Sequence, residues 1–435
     1  MLHKIVNALK ERSDLAGWTV RHLITRGAQI YAVPVQIESQ RAVEVERYRI
    51  DVLRQTSAPD GSPAMGSGDA TLLPGGDIQA AIEKAALVAG LVANPVHSLP
   101  APAALPDVSL IDTDLQRDAS AVTKDVMERM RAAASKNNSV QLTAAECFGE
   151  IHTTRLVNSR GIDAEQEATQ INIELVLHSQ RGENDVETFA EMDRRRVADF
   201  NLEEEIERQV RYTLDLFEAG PSPSWQGPVV LRDEVLAVFM AGGGVLQTLG
   251  SAESKYAKVS PWEIGKSVLR SDVKGDLLTV WANRRIPFGT RSNRFDEEGL
   301  PAQRVELIRE NELVAFAASQ RYANYLNLPA TGAFGGVELP PGQMQASALL
   351  AEPYVEIIQF SWFNPDTITG DFATEIRLGY LVENGTRKPF KGGQLIGNVL
   401  DALADVRWSA ETGFFGSYLG PHTARFNNLK IAGTE

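Results

Sequence analysis

The stretch SWFNPDTITGDFATEIRLGYLVENG, from Ser361 to Gly385, says most about how this chain folds. Apolar residues at 357–360, just before it, and at 372–380 within it are spaced or bunched as in β-strands. Between them, residues 364–371 are rich in turn formers that also carry carboxylates and hydroxyls. The segment closes on Glu383-Asn384-Gly385, a hairpin signal. We therefore predict strand, polar turn, strand and hairpin, in that order.

Length and composition predict a soluble globular protein of two or three domains. The chain has 435 residues, of which 43% are hydrophobic and 23% charged. No apolar run approaches the roughly 18 residues that a membrane span needs, and the N-terminus has no signal-peptide core. We therefore expect a cytoplasmic location and no membrane association. The single cysteine, Cys147, excludes an intramolecular disulfide and a multi-thiolate zinc site, and we expect a buried, inert thiol.

The net charge of −14 argues against general nucleic-acid binding, because an acidic protein repels phosphate backbones. Arg194-Arg195-Arg196 is the best candidate for a local basic patch. The simpler interpretation, which we favour, is a solvated turn before an acidic helix that starts near Asn201.

The predicted fold class is α+β, with a mixed helix and antiparallel-sheet N-terminal half and a β-rich C-terminal half. Residues 220–228 hold three prolines and two glycines, which predicts a boundary between regions 1–220 and 221–435, with a possible sub-boundary near 95–110. Residues 57–76 read as a surface loop. Helices are predicted at 1–12, from Asp77 onward, at 115–135, at 201–219, and at 234–249 with an interruption at Gly242-Gly243-Gly244.

Five blocks, in order, resemble the TldD/PmbA family, the modulators of DNA gyrase. They are GSGDATLLPGGDIQAAIEKAALVAGLVANP from Gly66, TTRLVNSRGIDAEQE from Thr153, FDEEGLPAQRVELIRENELVAF from Phe295, LNLPATG from Leu326, and a last block that runs from Trp362 through 393–398 to 429–433. The first 60 residues match least well. The resemblance implies a protein that dimerises and encloses a cavity.

The resemblance also implies a metallopeptidase lineage. In the zinc-bearing branch, two histidines of a His-Glu-x-x-x-His helix and a C-terminal cysteine hold the zinc, and the glutamate accepts a proton from the metal-bound water. Here the motif would fall near 239–244, Phe-Met-Ala-Gly-Gly-Gly, and the cysteine near 416–422, where only His422 could replace it. We therefore expect a PmbA/TldE-like member with no zinc and no other cofactor. The expected partner is a second copy, as a homodimer, or a zinc-bearing TldD-like subunit, and the expected substrate is a small or unfolded peptide.

The resemblance thus implies a non-catalytic, zinc-less subunit or homologue of a metallopeptidase. There are two alternatives to this role. The first is a metal-independent hydrolase that uses Asp366 and Asp371 as paired carboxylates, or His422, with Asn364 and Thr369 as candidate substrate contacts. The competing interpretation is that the aspartates and Thr369 only cap their turn through bonds to the backbone. The second alternative is a protein-binding modulator of DNA gyrase.

Overall fold

The computed structural model describes residues 1–34 and 36–434. Its α-helices are α1 Leu2–Lys10, α2 Ile78–Gly90, α3 Thr113–Arg117, α4 Ala119–Ala134, α5 Leu202–Asp215, α6 Asp233–Ala237, α7 Val245–Leu249, α8 Ala252–Tyr256, α9 Gln320–Leu326, α10 Ala346–Leu349 and α11 Val399–Ala404. Val197–Asp199 form a 3₁₀ turn, and Val238–Gly242 form a π-helix.

The strands are β1 Gly17–Val33, β2 Gln36–Ser57, β3 Pro63–Leu72, β4 Gln141–Asn158, β5 Asp163–Arg181, β6 Asn184–Arg194, β7 Gly220–Pro221, β8 Val229–Arg232, β9 Val280–Asn283, β10 Arg304–Arg309, β11 Glu312–Leu313, β12 Gly336–Glu338, β13 Tyr354–Phe360, β14 Asp371–Glu383, β15 Thr386–Lys391, β16 Gln394–Asn398, β17 Val406–Trp408, β18 Thr412–Phe415, β19 Tyr418–Pro421, β20 Thr423–Phe426 and β21 Lys430–Ala432. The predicted α+β class is confirmed, with strands dominating the second half of the chain.

A six-stranded antiparallel sheet organises the N-terminal part, in the order β3-β2-β1-β4-β5-β6. Side chains alternate between its faces, as strand geometry requires. One face carries the apolar residues that pack under α1, α2, α4 and α5. The other face is more polar, and on β4 and β5 it presents His152, Thr154, Gln166 and Gln170 to the C-terminal part of the chain.

The C-terminal part contains two further sheets around one large apolar core. The first has the order β11-β10-β9-β12-β19-β18, and the second has the order β17-β20-β8-β13-β14-β15-β7. β16 and β21 extend the second sheet beside β14. Within the described residues, no helix is long and apolar enough to cross a membrane.

The opening stretch folds as predicted. β13 and β14 pair in antiparallel register on either side of the polar turn. β14 then continues into β15 through Asn384 and Gly385, whose φ angles of 53° and 70° are those of a tight hairpin turn.

The predicted loop at 57–76 was wrong in its centre, since Pro63–Leu72 form β3. The small residues that suggested a loop allow α2 to lie directly on the strand. A Cβ on Gly66 would come within 1.7 Å of the Ala89 carbonyl oxygen, and one on Gly68 within 2.2 Å of that of Ala85. The glycines here therefore permit close packing of backbone on backbone.

Candidate functional site

The predicted site residues gather at one end of the nine-stranded sheet. β8 and β13 run in parallel and both end there, with Ile357 opposite Leu231. β20 is antiparallel to β8 and begins at the same end, with Thr423 opposite Arg232. The polar turn 361–370, the start of α6 and His422 consequently lie at this one end of the sheet.

Asp366 and Asp371 are held by the turn that contains them. The Oδ1 atom of Asp366 accepts the N–H groups of Ile368 and Thr369 at 2.9 and 2.8 Å, and these bonds lower its pKa. Oδ1 of Asp371 accepts the side-chain amide of Asn398 at 2.8 Å, which lowers the pKa of Asp371 as well. A carboxylate acid–base pair needs pKa values that are pushed apart, whereas here both move down. These contacts are those of the capping interpretation, and a catalytic role for the pair stays a prediction. Asn364 is exposed beside them.

Asn398, for which no role was predicted, connects this turn to the start of α11. Its Nδ2 donates to the Thr369 carbonyl at 2.7 Å as well as to Asp371. Its Oδ1 accepts the N–H groups of Leu400 and Asp401, which caps α11. An asparagine directly before an apolar helical run is a recognisable N-cap signal, so this half of its role could have been predicted.

His422 contacts Asp233 rather than the turn carboxylates. Its Nδ1 lies 3.4 Å from Oδ1 of Asp233 and 3.2 Å from the hydroxyl of Thr423. The backbone N–H of Asp233 donates to the carbonyl of His422 at 2.9 Å. Asp233 has a positive φ of 50°, which is uncommon for a residue with a side chain. The structure therefore provides a histidine–aspartate pair at the sheet end, separate from Asp366 and Asp371.

The segment where the resemblance would place the zinc motif is apolar and tightly packed. The Phe239 ring lies 5.3 Å from that of Phe363, 5.9 Å from that of Phe372 and 5.1 Å from that of Phe426. Met240 and Ala241 are buried beside it. A Cβ on Gly243 would meet Phe363 at 2.7 Å and Pro365 at 2.8 Å, so this glycine permits close packing of the polar turn on the end of the π-helix.

These residues do not fit a zinc ion. None of the side chains at 239–244 offers an imidazole, carboxylate or thiolate ligand. Across residues 1–34 and 36–434, no group of three or more His, Cys, Asp or Glu side chains is arranged to hold a metal. Cys147 lies buried in the N-terminal core, as predicted, and burial raises the pKa of its thiol to about 12.

The solvated-turn interpretation of Arg194-Arg195-Arg196 was wrong, because Arg194 and Arg195 are only 5% and 7% exposed. Arg194 pairs with Glu234 at the start of α6 and so ties the sheet edge of the N-terminal part to the site. Arg196 pairs with Asp199 and covers the ring of Phe288. Glu234 and Phe288 lie far along the chain from these arginines, where local sequence gives no signal, whereas Asp199 is only three residues from Arg196.

Comparison with known proteins agrees with this architecture. Residues 224–433 match the family model described as the PmbA/TldA metallopeptidase C-terminal domain. TldE from Thermococcus kodakarensis has a similar structure at 18% identity, with a TM-score of 0.82 over 99% of this chain and 100% of that one. A protein from Thermotoga maritima, named as a candidate modulator of a DNA gyrase, is similar at 18% identity, with a TM-score of 0.83 and the same coverage.

An uncharacterised protein of Methanocaldococcus jannaschii is 25% identical over 291 residues, which span 64% of this chain and 66% of that protein, just under two thirds of its length. The fold and the matched domain together define an α+β protein whose C-terminal part is of metallopeptidase type. Residues 224–433 belong to the PmbA/TldD family by this match, the fold of the whole chain is that of TldE, and the resemblance found in the sequence is confirmed.

Proposed function

We propose that this chain is a non-catalytic subunit of a peptidase, which pairs with a zinc-bearing relative and helps to form the chamber that admits small or unfolded peptides. The observation that carries the proposal is the packing of residues 238–244. Phe239, Met240 and Ala241 occupy the place of the zinc motif and are buried in an aromatic cluster. Polar ligands there would lie among apolar rings, where an unpaired polar group is costly.

The surface beside this cluster is suited to contact a peptide or a partner. Trp362 is 75% exposed at the start of the polar turn, and Ile368 is 46% exposed within it. Large exposed aromatic side chains bind well because they bury much area and lose little entropy. In this proposal the turn is a rigid, Asn398-braced surface that presents Trp362.

The test combines this chain with a relative that carries His-Glu-x-x-x-His. Bound zinc is measured for each purified protein and for the mixture, and cleavage of an unstructured peptide is followed in all three. We expect cleavage by the mixture and none by this chain alone. Stoichiometric zinc together with cleavage by this chain alone would refute the proposal.

A surface variant tests whether Trp362 contributes to cleavage by the mixture. Trp362→Ala should weaken cleavage by the mixture by about tenfold, since one well-placed aromatic contact is worth about 1–2 kcal/mol. Leu91→Ala is the matched control, because Leu91 is 79% exposed on the N-terminal part, away from the turn. Equal activity of the two variant mixtures would show that the turn surface has no part in the assembly.

A second candidate function is binding to DNA gyrase, and it is favoured by the name given to the similar protein from Thermotoga maritima. The net charge of −14 suits contact with a protein better than contact with DNA. Immobilised chain should then retain purified gyrase subunits in the absence of DNA. Failure to retain either subunit at physiological salt would count against this function.

A further inference from the structure

A cleft of about 440 Å³ lies between the polar face of the N-terminal sheet and the segment 284–297 of the C-terminal part. One wall consists of β4 and β5 side chains, including His152, Thr154 and Gln170. The other wall includes Arg284, Arg291, Ser292 and Asn293. This cleft is separate from the turn and His422, since none of those residues lines it.

Three arginines line the cleft, and none has an acidic partner. Among residues 1–34 and 36–434, no carboxylate oxygen lies within 4.0 Å of a side-chain nitrogen of Arg195, Arg284 or Arg291. Most other arginines of this acidic chain are ion-paired, for example Arg304 with Glu338 at 2.8 Å. Within the described part of the chain the three arginines therefore form no salt bridge, although the charges of Asp193 and Asp296 act on Arg195 and Arg284 from beyond that distance.

Arg195 supplies a fixed positive charge at the base of the cleft. Its guanidinium donates only to main-chain carbonyls, those of Thr169, Gly289, Thr290 and Ser292, at 2.7–3.0 Å. Burial lowers its pKa to about 10, so it stays protonated at pH 7. Four neutral acceptors satisfy its hydrogen bonds, and Asp193 offsets part of its charge without forming a salt bridge.

Arg284 has side-chain hydrogen-bond donors without an acceptor among the described residues. It is only 5% exposed, and its Nε donates to Oδ1 of Asn293 at 2.9 Å. Within the described residues, its two terminal nitrogens have no acceptor. The planar fork of a guanidinium is suited to two parallel bonds with a carboxylate or a phosphate. Arg291, exposed at the mouth of the cleft, and the unpartnered, buried hydroxyl of Ser292 add further donors.

The acidic groups nearest to these arginines are already engaged. Asp296 accepts the N–H groups of Glu298, Gly299 and Leu300 through Oδ1, and that of Ala333 through Oδ2. Asp193 accepts the side-chain amide of Gln170, and burial raises the pKa of both aspartates. Glu297 is an exposed lining residue. His152 is kept towards its neutral form, because burial lowers its pKa.

We propose that this interdomain arginine cleft binds an oxyanion, with Arg284 and Arg291 as the residues that contact it. The anion is either the terminal carboxylate of a short peptide, a source that rests on the proposed function, or a phosphate group. Both present the planar or tetrahedral oxygens that the free guanidinium donors match.

The experiment measures binding to the full chain alone by isothermal titration calorimetry at low salt. The probes are inorganic phosphate, an N-acetylated alanine tripeptide with a free carboxylate, and the same tripeptide as its C-terminal amide. We expect phosphate or the free-acid peptide to bind with a Kd below about 5 mM, and the amide to bind at least tenfold more weakly than the acid if the acid binds. Higher ionic strength should weaken the binding.

Arg284→Gln and Arg291→Gln should each weaken binding of the bound probe by about tenfold, as expected for loss of a charge-assisted bond. Arg309→Gln is the control, since Arg309 is exposed, pairs with Glu306 and carries the same charge change away from the cleft. Arg291 is exposed, so its variant keeps the test valid even if Arg284→Gln unfolds.

Binding of the acid alone identifies a peptide carboxylate, and binding of phosphate alone identifies a phosphate group. Absence of binding for every probe, or equal Kd values for Arg291→Gln and Arg309→Gln, would overturn the inference. Because no readout depends on cleavage, this result is independent of whether the chain acts in a peptidase.

Discussion

Gly243→Ala is the change that most directly tests how the polar turn packs on the π-helix. Gly243 has φ −70° and ψ −11°, so alanine could adopt its backbone conformation without strain. The obstacle is space, because the new Cβ would lie 2.7 Å from Cε1 of Phe363 and 2.8 Å from Cγ of Pro365. The Phe363 ring is held in turn by Phe239 and Phe372, which limits its retreat.

The magnitude follows from two opposing terms. Overpacking of this kind costs about 1–3 kcal/mol. Replacing glycine by alanine in a helical conformation recovers about 0.5–1 kcal/mol. We therefore expect Gly243→Ala to lower the free energy of unfolding by up to about 2.5 kcal/mol.

Gly242→Ala is the matched control at the neighbouring position. Gly242 is exposed, and its nearest contact would be Cγ1 of Val238 at an ordinary 3.4 Å. This variant should be as stable as the parent or slightly more stable. The two variants share the glycine-to-alanine gain and differ by the overpacking cost of about 1–3 kcal/mol. By thermal melting, Gly243→Ala should therefore unfold about 2–12 °C below Gly242→Ala, given roughly 2–4 °C per kcal/mol for a domain of this size. A Gly243→Ala protein that melts at or above Gly242→Ala would refute the described packing.

Three further predictions concern single residues. Asn398→Ala should lower the free energy of unfolding, measured in urea, by about 2–4 kcal/mol, because it removes the cap of α11 and leaves the Thr369 carbonyl unpaired. As a control, Asn427→Ala at an exposed position should change this free energy by under about 0.5 kcal/mol. Cys147 should resist a thiol reagent at pH 8 in the native protein and react at once in denaturant, because its pKa is raised to about 12; rapid native reaction would contradict its burial. Burial raises the pKa of Glu298 from 4.5 to about 7. Between these pH values the native state holds a proton that the unfolded state has lost, so the free energy of unfolding falls as pH rises. Glu298→Gln should remove up to about 3 kcal/mol of that fall between pH 4.5 and 7, and an unchanged pH profile in urea denaturation would contradict the shift.

The parts of the fold that sequence could predict are those set by local rules. The hairpin turn at Asn384-Gly385 needs positive φ at both residues. Asparagine and glycine adopt positive φ readily, so the turn can be predicted from the sequence. The Asp77 cap of α2 is likewise a contact with Ala80, three residues away. The alternation of buried and less buried residues along β4 and β5 is of the same local kind, because each strand buries one face against helices.

The misplaced loop at 57–76 and the misjudged arginines share a different cause. Gly66 and Gly68 are small because the backbone of α2 lies against them, and that neighbour is about twenty residues further along the chain. Arg195 is buried because carbonyls near Gly289 accept its hydrogen bonds. Composition alone treats glycines as loops and arginines as solvated, since it carries no information about such distant partners.

The candidate site divides in the same way. The bonds of Asp366 run two and three residues along its own turn, so turn capping was a foreseeable alternative. The contacts of Asp371 with Asn398 and of His422 with Asp233 join segments that are far apart in the sequence and could not be foreseen from spacing. The sequence offered the turn and His422 as separate candidates, and only the fold shows that both lie at the sheet end and which side chains pair.

If residues 239–244 stand where the resemblance places the zinc motif, the aromatic packing around Phe239 opposes the introduction of its ligands one at a time. A histidine at 239 would place a ring nitrogen among Phe363, Phe372 and Phe426, where an unpaired polar group costs about 1–3 kcal/mol. A zinc ion could offset that cost only if all its ligands were present together, because an incomplete set binds weakly. Each single step towards the metal site is consequently destabilising. The same packing supports the polar turn, because Phe363 and Pro365 of the turn lie against residues 239 and 243.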